Sequence, residues 1–328
     1  MRRRDFVAIA SAATVAPTAA AFAQSGGTIR RIGALFSQDE ADPEAQARVK
    51  AFREGLAGLE WAEGRNLKID LRWASGSNAR MRGLAEDLVR QNPEALLAGA
   101  TIALVALQRA THKVPIVFAQ VTDPVGAGFV ESLARPGGNI TGLTQHEFSI
   151  GEKWVDLLKQ ILPDMRRVCV LYDPGNPATA GYLRVISPAA QSLGVQSFPY
   201  AVRDRAEIER AISEFARESG GLILLPGTAG SVNRDLIIAL ALRHRLPTIF
   251  AFRYHVVSGG LVSYGVDNID LYRRAAWYID RILKGGKPGE LPVQHATKFQ
   301  FAINLKTAKA LGLTIPLSLL SGADEVIE

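Results

Sequence analysis

Short apolar runs alternate with amphipathic stretches along most of this chain. Residues 31–36 read as a buried strand, and 43–59 as a helix behind it. Further strands are expected at 67–73, 95–98 and 115–119, with a fifth at 140–143. Helices are expected around 79–90, 102–111 and 125–134. This order implies a parallel sheet with helices on both faces. The order then restarts. Ser149-Ile150-Gly151-Glu152 has the form of a capping box, and Trp154, Leu157, Leu158 and Ile161 follow at helical spacing as far as Pro163. Strands at 167–172, 195–200, 222–225 and 247–250 then alternate with helices at 177–192, 205–217 and 231–243. A strand over 261–267, a helix over 269–284 stopped by Gly285-Gly286, and a last strand over 298–305 complete the pattern. The pattern predicts an α/β fold of two doubly wound parallel-sheet lobes, split near 144–149, with late elements that cross between them.

The first residues break the alternation. Arg2, Arg3 and Arg4 precede a small-residue apolar stretch over 6–21, and Ala21-Phe22-Ala23 has the form of a cleavage site. Residues 1–23 are therefore expected to be an export signal peptide, cleaved after Ala23. Arg3-Arg4-Asp5-Phe6-Val7 has the form of a twin-arginine signal. Without the leader the net charge falls from +6 to about +4. The basic residues are dispersed and not interleaved with aromatics, so no nucleic-acid partner is expected. The one cysteine, Cys169, lies in an apolar run and is expected to be buried. It allows no disulfide within the chain, and no cysteine follows the leader to carry a lipid. After Gln24 no apolar run reaches the length of a membrane span, so a soluble chain with no direct membrane anchor is expected.

Catalytic signatures fail one by one. Gly126-Ala127-Gly128 is followed by Glu131 where a dinucleotide-binding turn needs a third glycine. Pro288 stands after Lys287 where a phosphate-binding loop needs Ser or Thr. His146-Glu147 lacks a second histidine, and the five histidines have no metal-ligand spacing. No catalytic residue, metal site or cofactor is expected. What recurs is a strand, then small or polar residues, then a helix start. The instances are Ser37-Gln38-Asp39, Gly99-Ala100-Thr101, Gln120-Val121-Thr122-Asp123, Asp173-Pro174-Gly175-Asn176, Pro226-Gly227-Thr228 and Phe252-Arg253-Tyr254. In open parallel sheets ligands bind outside the carboxyl ends of the strands, and helix N-termini there favour anions. Helix capping alone accounts equally well for any one of Thr101, Thr122 or Asp173. The functional reading rests on their convergence in two facing lobes.

These residues resemble a known family. "VPIVFAQVTDPVGAGFVESLARPGGNITGLT" is similar to the signature of bacterial ABC-transporter substrate-binding proteins, in the group with tryptophan- and tyrosine-binding members. "RIGALF", "VCVLYDPGNP" and "FAINLKTAKALGL" match as well. The resemblance implies a type I periplasmic-binding-protein fold with three crossovers, near Thr144-Gln145, 264–267 and 291–297. The N-terminal lobe would hold 28–145 plus 266–292, and the C-terminal lobe 146–265 plus 293–328. It implies a non-catalytic periplasmic component of an ABC import system, serving a permease in the inner membrane. The small-molecule ligand would be an amino acid or related carboxylate, with aromatic amino acids leading. The implied ligand-binding set is Ser37, Thr101, Gln120, Thr122, Asp173, Asn176, Thr228, Tyr254, Tyr264 and Asp267. Thr101 and Thr122 would take a carboxylate, and Asp267 or Asp173 an ammonium. Tyr254, Tyr264 and Phe252 would cover an apolar side chain. Two other readings stay open: a ligand-sensing receptor for a membrane signalling protein, and a periplasmic enzyme on the same fold.

Overall fold

The computed structural model describes residues 29–145 and 147–328. The expected leader and His146 lie outside the described residues. In chain order the first elements are β1 (Arg30–Phe36), α1 (Pro43–Ala57), β2 (Leu67–Trp73), α2 (Asn78–Arg90), β3 (Ala95–Gly99), α3 (Thr101–Ala110), β4 (Ile116–Val121) and β5 (Ile140–Thr144). Next come α4 (Ile150–Ile161), β6 (Arg167–Tyr172), α5 (Thr179–Ser192), β7 (Gln196–Ala201), α6 (Arg205–Phe215), β8 (Gly221–Leu224), α7 (Thr228–Val232), α8 (Arg234–Arg243), β9 (Thr248–Phe250) and α9 (Arg253–Val257). The chain ends with β10 (Val262–Val266), α10 (Asn268–Leu283), β11 (Gln294–His295), β12 (Phe299–Asn304), α11 (Leu305–Ala310), α12 (Leu317–Gly322) and β13 (Glu325–Ile327).

The strands form two sheets, ordered β11-β5-β4-β3-β1-β2 and β13-β12-β10-β9-β8-β6-β7. Among the described residues only the β10–β12 pairing is antiparallel. The sequence shows these strands as continuous apolar runs because helices cover both faces of each sheet. Along β3, Leu97 points into the core under α1 and α10, while Leu96 and Ala98 point into the core under α2 and α3. Cys169 is fully buried in β6, and burial pushes its thiol pKa up. The tightest helix contact joins α1 to α10. Gly55 permits it, since a Cβ there would stand 2.4 Å from the Arg273 carbonyl oxygen. Late helix α10 thus closes onto the first sheet, although β10, just before it, belongs to the second.

Four expectations are corrected. Residues 125–134 form turns, not a helix. The Asp123 carboxylate takes the Gly126 amide, and the Phe129 and Val130 amides both reach back to the Pro124 carbonyl. Gly128 adopts φ 72, which ends any helical path. Ser149 does not form a capping box. Its backbone is already helical (φ −55, ψ −22) and its side chain caps nothing, whereas a capping residue needs an extended backbone. The helix expected over 231–243 begins at Thr228 and breaks at Asn233 (φ −106, ψ 21), giving α7 and α8. Finally, β11 pairs with β5, so the chain is still in the first sheet at His295 and leaves it after the expected boundary at 293.

Candidate ligand cleft between the lobes

The carboxyl ends of both sheets face one narrow cleft. The first lobe contributes Ser37 and Gln38 after β1, Ala100 to Ile102 at the start of α3, Gln120 in β4 and Gln145 after β5. The second contributes Asp173 and Asn176 after β6, Gly227 and Thr228 after β8, Ser231 in α7, and Phe252 after β9. Two first-lobe residues at the cleft hold strained backbones. Ala100 has φ 132, and Gln120 has φ 62 at a register shift in β4 between Phe118 and Val121. Such strain costs energy and persists at functional sites because the surrounding fold holds it. Ala100 has no polar side chain to cap α3, and Gln120 stands on the cleft wall.

Local bonds fix the second-lobe wall. The Asp173 carboxylate accepts the Gly175 amide at 2.8 Å and the Ala229 amide at 3.2 Å. Asn176 donates to the Pro226 carbonyl at 2.8 Å and accepts the Ala178 amide at 3.0 Å. These contacts tie the turn after β6 to the start of α7 and hold the Asp173 carboxyl group at the cleft wall. On the first lobe, Gln38 and Gln145 are buried, and each keeps a carboxamide oxygen with no hydrogen-bond partner among the described residues.

Six of the ten expected residues line this cleft: Ser37, Thr101, Gln120, Asp173, Asn176 and Thr228. Four do not. Thr122 does not start a helix; it lies buried behind the wall, 3.0 Å from the Tyr182 hydroxyl, and accepts the Gln145 side-chain nitrogen. Its role is to hold Gln145. Tyr254 sits one layer back, with its hydroxyl 3.0 Å from that of Ser231. Tyr264 stacks on Phe299 at 6.1 Å, and its carbonyl takes the Trp154 indole N–H. Asp267 lines a separate hollow with Glu44, Arg253 and Gln300, and caps α10 by accepting the Asp270 amide at 3.1 Å. It is therefore not the cleft carboxylate; among the expected acidic residues that position belongs to Asp173. Asp267→Ala is expected to lower stability by about 1 kcal/mol through the lost cap and to leave ligand affinity unchanged. Urea unfolding and calorimetry on the same variant check both halves.

Gln145 and Ser231 were not among the expected residues. Gln145 follows the end of β5 immediately, so the strand-end rule that selected the others points to it as well. Ser231 lies inside a short helix and carries no such signal.

Across the cleft the lobes are clasped. Arg234, at the start of α8, donates to Asp42 at 2.6 Å, and both side chains are largely buried. Asp42 also caps α1 through its other oxygen. Asp42→Asn keeps a capping oxygen but removes the ion pair. It is expected to weaken ligand binding about fivefold to tenfold by loosening closure, with little change in helix stability. Small-angle scattering of the liganded variant should show a larger radius of gyration than wild type.

Two parallel-sheet lobes, crossed more than once by the chain and bridged over a cleft at their strand ends, have the architecture of a solute-binding protein. The chain belongs to the ABC transporter substrate binding protein family, which it matches over residues 38–327. It is 26% identical over 278 residues to the tyrosine-binding protein of Clostridioides difficile (strain R20291), covering 85% of this chain and 80% of that one. A conserved domain protein from Vibrio cholerae O1 biovar eltor superposes with a TM-score of 0.86 at 30% identity, covering 91% of this chain and all 100% of the other. The ABC domain from Streptococcus pneumonia in complex with L-Trp gives a TM-score of 0.85 at 26% identity, covering 92% and 100%. The type I fold and the solute-binding role expected from the sequence are thereby established. The family and the Clostridioides difficile relative are described as binding proteins. Among the described residues no helix is long and apolar enough to cross a membrane.

Proposed function

We propose that the chain is exported to the periplasm, captures an aromatic amino acid in the inter-lobe cleft, and hands it to an ABC permease in the inner membrane. The observation that carries this reading is the mixed lining of the cleft. Uncapped α3 amides beside Thr101 suit a carboxylate, Asp173 suits an ammonium, and Phe252 offers a flat apolar surface. A zwitterion buried between lobes needs both charges met, because an unpaired buried charge costs several kcal/mol. The tyrosine-binding and L-Trp-bound relatives support the same ligand class.

Native mass spectrometry of the mature protein, followed by titration calorimetry with L-Trp and L-Tyr, tests the reading. Expected is a Kd of about a micromolar or tighter for at least one of them. Scattering should show the protein contracting as the lobes rotate together. Binding of a sugar or polyol with no response to amino acids overturns it. Export has its own test. A precursor with Arg3 and Arg4 both changed to Lys is expected to stay in the cytoplasm; normal processing of that variant would rule out the twin-arginine route.

A further inference from the structure

A second cavity lies at the hinge, and it shares no lining residue with the cleft. The ends of β4 and β5 form the wall between the two. At the end of β4, Gln120 lines the cleft and Thr122 lines the hinge cavity. At the end of β5, Thr144 lines the hinge cavity and the next residue, Gln145, lines the cleft. Thr122 and Gln145 are hydrogen-bonded to each other within that wall. The second lobe reaches it through Tyr182 of α5. The Tyr182 hydroxyl lies 3.0 Å from that of Thr122, and its ring meets Phe148 edge-on at 5.1 Å between centres. Phe148 packs so closely on α5 that a Cβ at Gly181 would stand 2.2 Å from its ring.

The lining of the hinge cavity has one chemical character. Pro124, Val125, Leu133 and Phe148 supply apolar surface, and Val125 is 39% exposed. Asp123 and Glu147 supply negative charge, and no described lysine or arginine lines it. Neither carboxylate forms an ion pair among the described residues. Arg274 of α10 contacts the His295 carbonyl instead, and Gln294 takes its other terminal nitrogen at 2.7 Å. Apolar walls with a few placed polar groups are the ordinary make-up of a small-molecule site. Two carboxylates beside four apolar side chains suit an ammonium carried on an alkyl or aryl body.

The walls belong to both lobes. Asp123, Val125, Leu133 and Thr144 come from the first. Phe148 and Ser149 lie past the first crossover, just before α4, which packs on β8 and β9 of the second. The lobes turn about the crossovers, and the first crossover is part of the wall between the cavities. A rotation that opens the cleft on one side of that wall narrows the hinge cavity on the other. In this structure Asp42 and Arg234 bridge the lobes, and the hinge cavity is present. We propose that the hinge cavity is a second ligand site, that it takes a small organic cation with an apolar body, and that its occupant favours the closed lobes and so tightens binding in the cleft. The coupling is reciprocal: solute in the cleft tightens the cation by the same factor. The inference goes beyond the amino-acid reading and holds for any solute on which the lobes close.

The probe is cyclohexylmethylammonium chloride, with cyclohexylmethanol and cyclohexanecarboxylate as its neutral and anionic counterparts. Calorimetry on the mature protein is expected to show one site for the cation, about threefold to tenfold tighter than for the alcohol, and no binding of the carboxylate. Asp123→Asn combined with Glu147→Gln should erase the preference for the cation. Asparagine keeps an oxygen for the Gly126 amide, so the turn survives. Ser149→Trp, at an exposed position whose side chain caps nothing, should fill the cavity and abolish probe binding. Saturating probe should tighten L-Trp or L-Tyr about fivefold. With no amino acid present, it should reduce the radius of gyration in X-ray scattering. A probe that competes with the amino acid sits in the cleft and overturns the proposal. So does probe binding that survives Ser149→Trp, or a cation preference that survives the double substitution. An amino-acid affinity that the probe leaves unchanged or lowers overturns it too, as does no probe binding at millimolar concentration. All these results leave the amino-acid reading standing. Failure of every amino acid to bind removes that reading alone, and scattering with the probe then decides the coupling. Thermal unfolding identifies any variant that misfolds, and the wild-type probe series decides the case without it.

Discussion

Glu44→Gln is expected to lower the unfolding free energy by about 2–3 kcal/mol, and adding Arg48→Met is expected to restore most of it. The reason is the state of Arg48. It sits on α1 with 1% of its surface exposed, between the rings of Tyr254 at 5.4 Å and Tyr272 at 5.6 Å. Its Nε meets the Glu44 carboxylate at 3.2 Å, while both terminal nitrogens lack partners among the described residues. Burial presses the guanidinium toward losing its proton, but Glu44 and the two tyrosine oxygens outweigh burial and hold its pKa above the ordinary value. It is therefore a buried cation with one contacting carboxylate and two aromatic faces. Cation–π contacts offset part of the desolvation cost but not most of it. Neutralising Glu44 leaves the charge bare. Because Glu44 is 18% exposed, water relieves some of the loss, which sets the expected value below that of a fully buried pair. Methionine at 48 fills the same space with no charge to satisfy. Urea unfolding at neutral pH of wild type, the single variant and the double variant makes the comparison. A single variant as stable as wild type, or a double variant no better than the single, refutes the account. Tyr272 lies on α10, packed on the first lobe, and Tyr254 follows β9 of the second. Arg48 thus also ties the lobes together behind the cleft.

The strands were legible in the sequence because both sheet faces are covered, which forces continuous apolar runs such as Ala95–Gly99 and Ile116–Val121. The positions just past those runs were legible for the same reason. There the apolar code stops and polar residues reach the cleft, as at Ser37, Asp173 and Asn176. The rule fails where a polar residue past a strand turns backward. Thr122 obeys the pattern, yet it points at Tyr182 and serves Gln145. Asp267 also follows a strand, but α10 begins at the next residue and takes its side chain as a cap. Sequence spacing alone does not distinguish a cap from a ligand contact. The turns over 125–134 show a different limit. The apolar residues there suit a helix, but Gly126 and Gly128 let the chain fold back on Pro124, burying Phe129 and Val130 without one. Two-residue β11 is too short to have a period at all.

Lowering the pH from about 7 to about 5 is expected to remove about 2 kcal/mol of stability through His255 alone, and His255→Phe should abolish that part of the loss. His255 is 3% exposed and lies in a stack, 4.7 Å from Phe250 and 4.2 Å from Tyr254 between ring centres. Its Nε2 has no partner among the described residues, and its Nδ1 lies 3.4 Å from the Phe252 carbonyl oxygen. Burial is the main cause that drives its pKa down to about 3; the Arg234 and Arg48 charges push the same way, and the Phe252 carbonyl opposes them. In the unfolded chain the imidazole titrates near 6.5. Between about 6.5 and 3, therefore, the unfolded state holds a proton that the folded state refuses. Protons then favour unfolding, by about 1.4 kcal/mol for each pH unit lost. Above 6.5 both states are neutral and the contribution is complete; below 3 it is gone. Phenylalanine preserves the stack and has nothing to protonate. Acidic side chains elsewhere destabilise both proteins at low pH, so the informative quantity is the difference between them. Urea unfolding of wild type and His255→Phe at pH 7, 6 and 5 should show a gap that shifts by about 2 kcal/mol in favour of the variant as the pH falls. Stability curves that run parallel would mean that His255 takes up its proton within the fold. The stack of Phe250, His255 and Tyr254 would then have to open toward water to admit the charge.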